Sequence, residues 1–358
     1  MRLERLVAGR PAPARLAGAV LARDLEGAVL ARDLVVGTAR WSKGRRLTKA
    51  DLDAFAATPP SGVGPVTVIV IEPGDLHEDD AALRLAAAVA GPGLETRGPV
   101  QSRVDLYAQH DGVLHVRSSD LERVNRLDPL EVFTRLDGSI VAAGDLVASV
   151  KVAPHVVAAS VVDAGARIAR NGRRPLVRVA PFRPMRVAVV VKESLRASDR
   201  PRFERSVRDK VESLGSAITG IAYVADEDEA VTAALAATRR GPGRANVVLT
   251  AGGRSTDPSD PFFTAIERLG GRVVRHGVPA HPGSMLWLAR IGRTAILGLP
   301  TCGAYSKATA ADLLLPRLLT GEPPTLQTVS HLGHGGVLTR EMRFRFPPYA
   351  RELDAPDG

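Results

Sequence analysis

The sequence predicts an α/β protein. Its main domain is a three-layer α/β/α arrangement with a mainly parallel sheet, preceded by an α+β region rich in short strands. Three observations carry this expectation. From Arg186 onward, short β-branched runs alternate with stretches of helical length and period, the pattern of βαβ units. Hydrophobic residues make up 45% of the chain and aromatics only 4%, so its cores are aliphatic. Before that point, the segment 94–155 has short strands separated by Gly and Asp turns. At 358 residues there is room for more than one core. We divide the chain into an N-terminal region 1–180, a main domain 185–322 and a tail 323–358.

Taken in order, residues 19–25 and 28–34 repeat the heptapeptide Ala-Val-Leu-Ala-Arg-Asp-Leu. Two copies do not make a solenoid, and the plain reading is a short tandem duplication with one spare copy. Thr48 and Asp51 are spaced as an N-cap and an acidic capping-box partner for a helix ending before Pro59-Pro60. A strand is expected over 66–71 and a helix over 77–90, closed by Gly91-Pro92-Gly93. Strands follow at 103–108 and 113–116, with Asp137-Gly138 and Ala143-Gly144-Asp145 as turns. A helix is expected over 155–168, with Val156, Ala159, Val162 and Ala166 on one face. The Pro- and Arg-rich passage to Pro184 reads as the domain boundary.

In the main domain, strands are expected at 187–191, 218–224, 246–249, 272–276, 285–289 and 294–297. Helices are expected at 202–214, 228–238, 261–269 and 308–319. One of Asp257, Ser259 and Asp260 caps the third helix, with Pro261 in its first turn. In the tail, the alternation Met342-Arg343-Phe344-Arg345-Phe346 predicts one edge strand.

Composition narrows the function. Lys plus Arg number 48 against 39 acidic residues, a net charge of +9 that suits anionic ligands. The charge is spread out, with no basic run of five or more and no aromatic-basic interleaving, which disfavours nucleic acid as the partner. The single cysteine, Cys302, excludes an intramolecular disulfide and a cysteine-cluster metal site, and suits a reducing compartment. The N-terminus has no apolar core of signal length and no run approaches a membrane span, so the expected location is cytoplasmic.

Three strand-to-loop passages carry the chemistry. The first is Thr250-Ala251-Gly252-Gly253-Arg254-Ser255, where two glycines let backbone N–H groups approach an anion and two hydroxyls can donate to it. The second is His281-Pro282-Gly283-Ser284, and the third is Gly298-Leu299-Pro300-Thr301-Cys302-Gly303. Each passage has a bland counterpart: a Gly turn, helix capping by Asp257, Ser259 or Asp260, a solvated Lys307. A carboxylate such as Asp260 beside a phosphate loop is otherwise placed to hold Mg²⁺ or orient a nucleophile. His276 and His281, five apart in a loop, do not make a transition-metal motif. In parallel sheets ligands sit beyond the carboxyl ends of the strands, where all three loops are expected.

Together, over about residues 185–321, these loops resemble the molybdopterin-binding domain shared by molybdopterin adenylyltransferases and molybdopterin molybdotransferases. The matching positions are Thr250, Gly252, Gly253, Ser255 and Asp260, then His276-Gly277-Val278 with Pro282-Gly283, then Gly298-Leu299-Pro300. The departures are Lys192-Glu193-Ser194 in the first loop, Asp257 in place of a glycine, both lysines lost around Pro282-Gly283, and Thr301-Cys302-Gly303 after Pro300. Lys43-Gly44-Arg45-Arg46-Leu47, the segment 72–82, Ala180-Pro181-Phe182-Arg183-Pro184 and Gly298–Cys302 are similar to divergent members that stand before a cofactor nucleotidyltransferase domain; no start of such a domain occurs here.

The resemblance implies molybdopterin or the molybdenum cofactor as ligand, with Mg²⁺ as a further candidate. It implies a ligand site at Thr250, Gly252, Gly253, Arg254, Ser255, Pro282, Gly283, Ser284, Gly298, Leu299, Pro300, Thr301, Cys302, Ser306 and Lys307, with Asp260 as the candidate catalytic and Mg²⁺ residue. The leading expectation is a protein that binds the pterin and hands it on in cofactor biosynthesis. The alternatives are an active molybdotransferase or adenylyltransferase, and a docking module. Implied partners are a molybdenum hydroxylase or a cofactor nucleotidyltransferase, with a homodimer as the assembly.

Overall fold

The computed structural model describes residues 1–8, 25–59, 64–171, 174–192, 197–299 and 308–351. The chain divides into two units. The first comprises residues 1–109, 115–137 and 143–179, and the second residues 110–114, 138–142 and 180–358.

In the first unit, strand Val66–Val70 pairs antiparallel with Arg2–Leu6 on one side and Val29–Leu30 on the other. Val29 and Leu30 belong to the second copy of the heptapeptide, and both are buried. Apart from Leu25, the first copy lies outside the described residues. The helix Lys49–Ala56 carries the expected capping box, with the Thr48 hydroxyl accepting from the Asp51 N–H and the Asp51 carboxylate accepting from the Thr48 N–H.

A four-stranded sheet follows, in the order Leu130–Thr134, Leu146–Val152, Arg103–Ala108, Leu94–Val100, all antiparallel. Strand Leu94–Val100 escaped the sequence reading because it contains Gly98-Pro99, and its edge position is where a residue without an N–H is tolerated. The helix expected over 155–168 begins only at Ala159 and runs to Arg170. Val156–Ala158 is instead a strand paired with Asp75–His77, so tertiary pairing overrides a helical periodicity at two β-branched residues. Likewise, the passage read as linker contains the strand Val177–Pro181.

The second unit is built on a six-stranded sheet. Its strands are β1 (Arg186–Lys192), β2 (Ala217–Val224), β3 (Val247–Ala251), β4 (Arg272–His276), β5 (Trp287–Ile291) and β6 (Thr294–Gly298), in the spatial order β2-β1-β3-β6-β5-β4. β2, β1, β3 and β6 pair in parallel. β5 is antiparallel to both β6 and β4, so the sheet is mixed: three of its five pairings are parallel, as expected, and two are antiparallel. The reversal has a local cause: β5 and β6 are joined by a two-residue hairpin, with Ile291 opposite Thr294 and Gly292 supplying a positive φ of 59°.

Helices α1 (Arg200–Glu212), α2 (Asp228–Ala237), α3 (Pro261–Arg268) and α4 (Ala310–Leu319) complete the unit. Strand β1 shows why both faces are covered: Val187, Val189 and Val191 share one core with α1 and α4, and Ala188 and Val190 share another with α2 and α3. A strand apolar at every position, not alternate ones, is the signature of a sheet buried on both faces.

The residues after Pro323 join the first of these cores through Val329, Leu332, Leu338, Phe346 and Ala350. The expected edge strand at 342–346 is a 3₁₀ helix, Arg340–Arg345, followed by the short helix Pro348–Arg351. Tyr349, on that helix, donates a 3.1 Å hydrogen bond to Asp312, which also accepts from the buried Lys210 ammonium and the Thr309 N–H.

Burial and the Asp312 carboxylate push the Tyr349 phenol well above its ordinary range. A phenol raised on folding stabilises fully below its unfolded value and loses that contribution as pH rises above about 10. We therefore expect Tyr349→Phe to cost about 1 kcal/mol near neutral pH. The gap to wild type should narrow from about pH 10 upward in urea titrations. A gap independent of pH would refute this role.

Candidate functional site

The carboxyl edge of the sheet is aligned by its register. Val190 pairs with Thr250, Thr250 with Gly298, Gly298 with Trp287, and Trp287 with His276, so one row crosses β1, β3, β6, β5 and β4. Loops one and three are joined at their roots, where the Leu299 N–H donates to the Thr250 carbonyl at 2.8 Å. Under this row lies an aromatic cluster. Trp287 packs edge-on against Phe263 at 5.2 Å and lies 6.0 Å from Phe262, and Phe263 meets His276 at 4.8 Å.

The first loop leaves β3 at Ala251 and turns at Gly252, whose φ of 85° suits a residue without a side chain. Its course is fixed by Asp260. That carboxylate accepts the Arg254 N–H at 2.7 Å and the Phe262 N–H at 2.9 Å, the latter as N-cap of α3. It also accepts the Lys192 ammonium at 2.6 Å. Lys192 is 0% exposed and Asp260 1%, so this is a buried ion pair. Lys192 bonds a second carboxylate, Asp226, at 2.7 Å, and Asp226 in turn holds the Arg254 guanidinium at 2.6 Å. Two cations and two carboxylates make a formally neutral network, which is how charges at such depth are tolerated.

Lys192 and Asp226 were not among the expected site residues. Both leave a trace in the sequence: Lys192 ends the apolar strand β1, and Asp226 lies two residues past the end of β2. Charges just beyond adjacent parallel strands meet at one edge, but only the strand order reveals the adjacency.

Among the described residues, the Gly252 and Gly253 N–H groups and the Ser255 hydroxyl have no hydrogen-bond partner within the chain. The Arg254 side chain is 64% exposed. Asp257 is held below the usual carboxylate range by the Ser259 hydroxyl, the Ser259 N–H and Arg254, so it stays ionised beside the loop.

The second loop is differently employed. Pro282 and Gly283 are buried, the Pro282 carbonyl accepts the Ala310 N–H of α4 at 2.9 Å, and a Cβ on Gly283 would meet that same nitrogen at 2.9 Å. Residues 336–338 clamp the loop further, through His281 N–H to Gly336 and Leu338 N–H to His281, both at 2.8 Å. The α4 N-terminus is also capped by Thr309 and Asp312. Its first amides are therefore occupied by protein acceptors. Ser284 is half-buried, with its carbonyl accepting from Val278. Thus the structure brings Thr250, Gly252, Gly253, Arg254, Ser255, Gly298 and Leu299 together and sets Pro282 and Gly283 as a brace. Pro300, Thr301, Cys302, Ser306 and Lys307 lie outside the described residues.

Residues 199–320 match the family described as "probable molybdopterin binding domain". The match covers less than half of the chain. Lys192 falls before the matched segment, whereas its partners Asp226 and Asp260 lie within it. Among solved structures, the chain is similar to a molybdopterin biosynthesis MoeA protein from Pyrococcus horikosii, at 18% identity over 72% of this chain and 81% of that one, with a TM-score of 0.31. It is also similar to molybdenum cofactor biosynthesis protein B, at 16% identity over 43% of this chain and 98% of that one, with a TM-score of 0.29. A molybdopterin biosynthesis protein from Mycobacterium abscessus is similar at 14% identity, over 43% of this chain and 100% of that one, with a TM-score of 0.29. No curated protein matches. No helix among the described residues is long and apolar enough to cross a membrane.

Proposed function

We propose that this protein binds molybdopterin, with or without metal, at the carboxyl edge of the six-stranded sheet and hands it on during molybdenum-cofactor biosynthesis. The observation that carries the reading is the Gly252–Ser255 loop, with unpartnered donors beside an exposed arginine, in a domain that matches the molybdopterin-binding family. Backbone N–H groups and Arg254 suit the terminal phosphate of the pterin. Thr250, Gly298 and Leu299 form the floor on which it rests.

Binding is favoured over transfer by the state of Asp260. Both its oxygens are engaged, with Lys192, Arg254 and Phe262, so holding Mg²⁺ there would require Lys192 to give up its buried partner. In this reading the next acceptor is a molybdenum hydroxylase or a cofactor nucleotidyltransferase, and the working location is the cytoplasm.

Calorimetry with purified molybdopterin tests the proposal. We expect binding at micromolar protein, weakened about tenfold by Arg254→Gln, as for loss of one charge-assisted hydrogen bond. The Arg254→Gln variant should melt as wild type does, because its partner Asp226 retains Lys192. Absence of heat with the wild-type protein would overturn the reading.

A further inference from the structure

At the opposite edge of the same sheet lies a cleft of about 730 Å³, whose lining belongs entirely to the second unit. Its volume is in the range of small-molecule sites. Six arginines line it, Arg183, Arg186, Arg239, Arg244, Arg290 and Arg293, against one acidic residue, Glu322.

Some exposed arginines elsewhere in this unit are paired with carboxylates: Arg208 with Glu212, Arg254 with Asp226, and Arg268 with Asp228 and Glu229. By contrast, Arg239, Arg244, Arg290 and Arg293 form no salt bridge with any described carboxylate. Like charges gathered without counterions repel one another, and an anionic ligand removes that cost.

The placement also sets the ligand's shape. Arg186 opens β1, Arg244 precedes β3, Arg290 lies near the end of β5 and Arg293 in the turn from β5 to β6. These four strands are neighbours in the order β1-β3-β6-β5. With about 4.8 Å per strand spacing, the cations spread over roughly 14 Å, too far for one phosphate and suited to a chain of them.

The Arg186 Nε–H donates to the Arg244 carbonyl at 2.8 Å, and the Arg186 N–H to the Asn246 side-chain oxygen at 2.9 Å. These bonds brace the rim and leave the Asn246 side-chain nitrogen as a further donor. No aromatic side chain lines the cleft, so it has no stacking platform for a base or a pterin ring.

We infer that the amino-edge cleft binds the oligophosphate group of a small anion of about triphosphate length, separately from the carboxyl-edge site. Two sources share this chemistry, free tripolyphosphate and a nucleoside triphosphate.

Calorimetry on the full chain at physiological salt tests it, with tripolyphosphate, a nucleoside triphosphate and orthophosphate as probes. Tripolyphosphate should bind at least about tenfold more tightly than orthophosphate, since several guanidinium groups act at once. Arg244→Gln/Arg293→Gln should weaken it by about tenfold or more. Arg290→Gln alone should weaken it less, and both variants should keep the wild-type circular dichroism. Arg254→Gln, at the far edge, should leave it unchanged. A nucleoside triphosphate bound as tightly as tripolyphosphate would mean the phosphate chain alone is read; tighter binding would identify the nucleotide as the source. Equal affinity for orthophosphate, wild-type binding by the double variant, loss of binding in Arg254→Gln, or stronger competition by a single-stranded oligonucleotide would each overturn the inference.

Discussion

Lys192→Met is expected to destabilise the second unit by about 3–5 kcal/mol, the cost of leaving a buried charge without its partner. The ammonium is wholly buried between Asp260 and Asp226, and its nitrogen lies 5.2 Å from the centroid of the Phe262 ring. Methionine preserves the stem and removes the charge, so the loss reports electrostatics more than packing. Asp226 retains Arg254, whereas Asp260 keeps only two backbone N–H donors.

Lys192→Met/Asp260→Asn isolates the cause. Asparagine still caps α3 and carries no charge, so the double variant should recover most of the loss. Urea unfolding followed by Trp287 fluorescence in a Trp41→Phe background reads this unit, because the two tryptophans lie one in each unit. A loss below about 1 kcal/mol in the single variant would mean that the network does not hold the edge. Equal losses in the single and double variants would mean the same.

The second large effect is expected at Gly298, where alanine should cost about 3 kcal/mol through overpacking. A Cβ there would fall inside the Trp287 indole, which lies flat over the glycine from the neighbouring strand. The indole is fixed by Phe262 and Phe263 and cannot retreat without disturbing α3. Trp287→Leu makes room, so it should be less costly in the Gly298→Ala background than in wild type. The coupling should exceed about 1 kcal/mol in a double-mutant cycle. Additive losses would show that the two residues do not constrain each other. Because Gly298 pairs with Thr250, Gly298→Ala should also weaken pterin binding more than its loss of stability explains.

Much of the second unit was legible in the sequence because its signals are local. The apolar run of β1, Pro261 after Asp260, and Gly270-Gly271 after α3 each act within a few residues of themselves. The same holds for the capping box of Thr48 and Asp51. Sequence spacing also placed the Gly252-Gly253 turn directly after a buried strand, where the structure has it.

What remained hidden depends on strand order and distant pairing. The reversal of β5 has a local signal, the two-residue Gly292-Arg293 turn, whereas Val156–Ala158 owes its strand state to a partner far earlier in the chain, Asp75–His77. Asp260 looked free to bind a metal because its cation stands 68 positions away in the chain. That Pro282-Gly283 brace α4 was likewise hidden, because the helix they support begins far along the chain at Ala310. Residue types and spacings state which groups can bind an anion. Only folding, by bringing charges from separate strands to one edge, settles which of those groups are already satisfied by the protein and which remain open to a ligand.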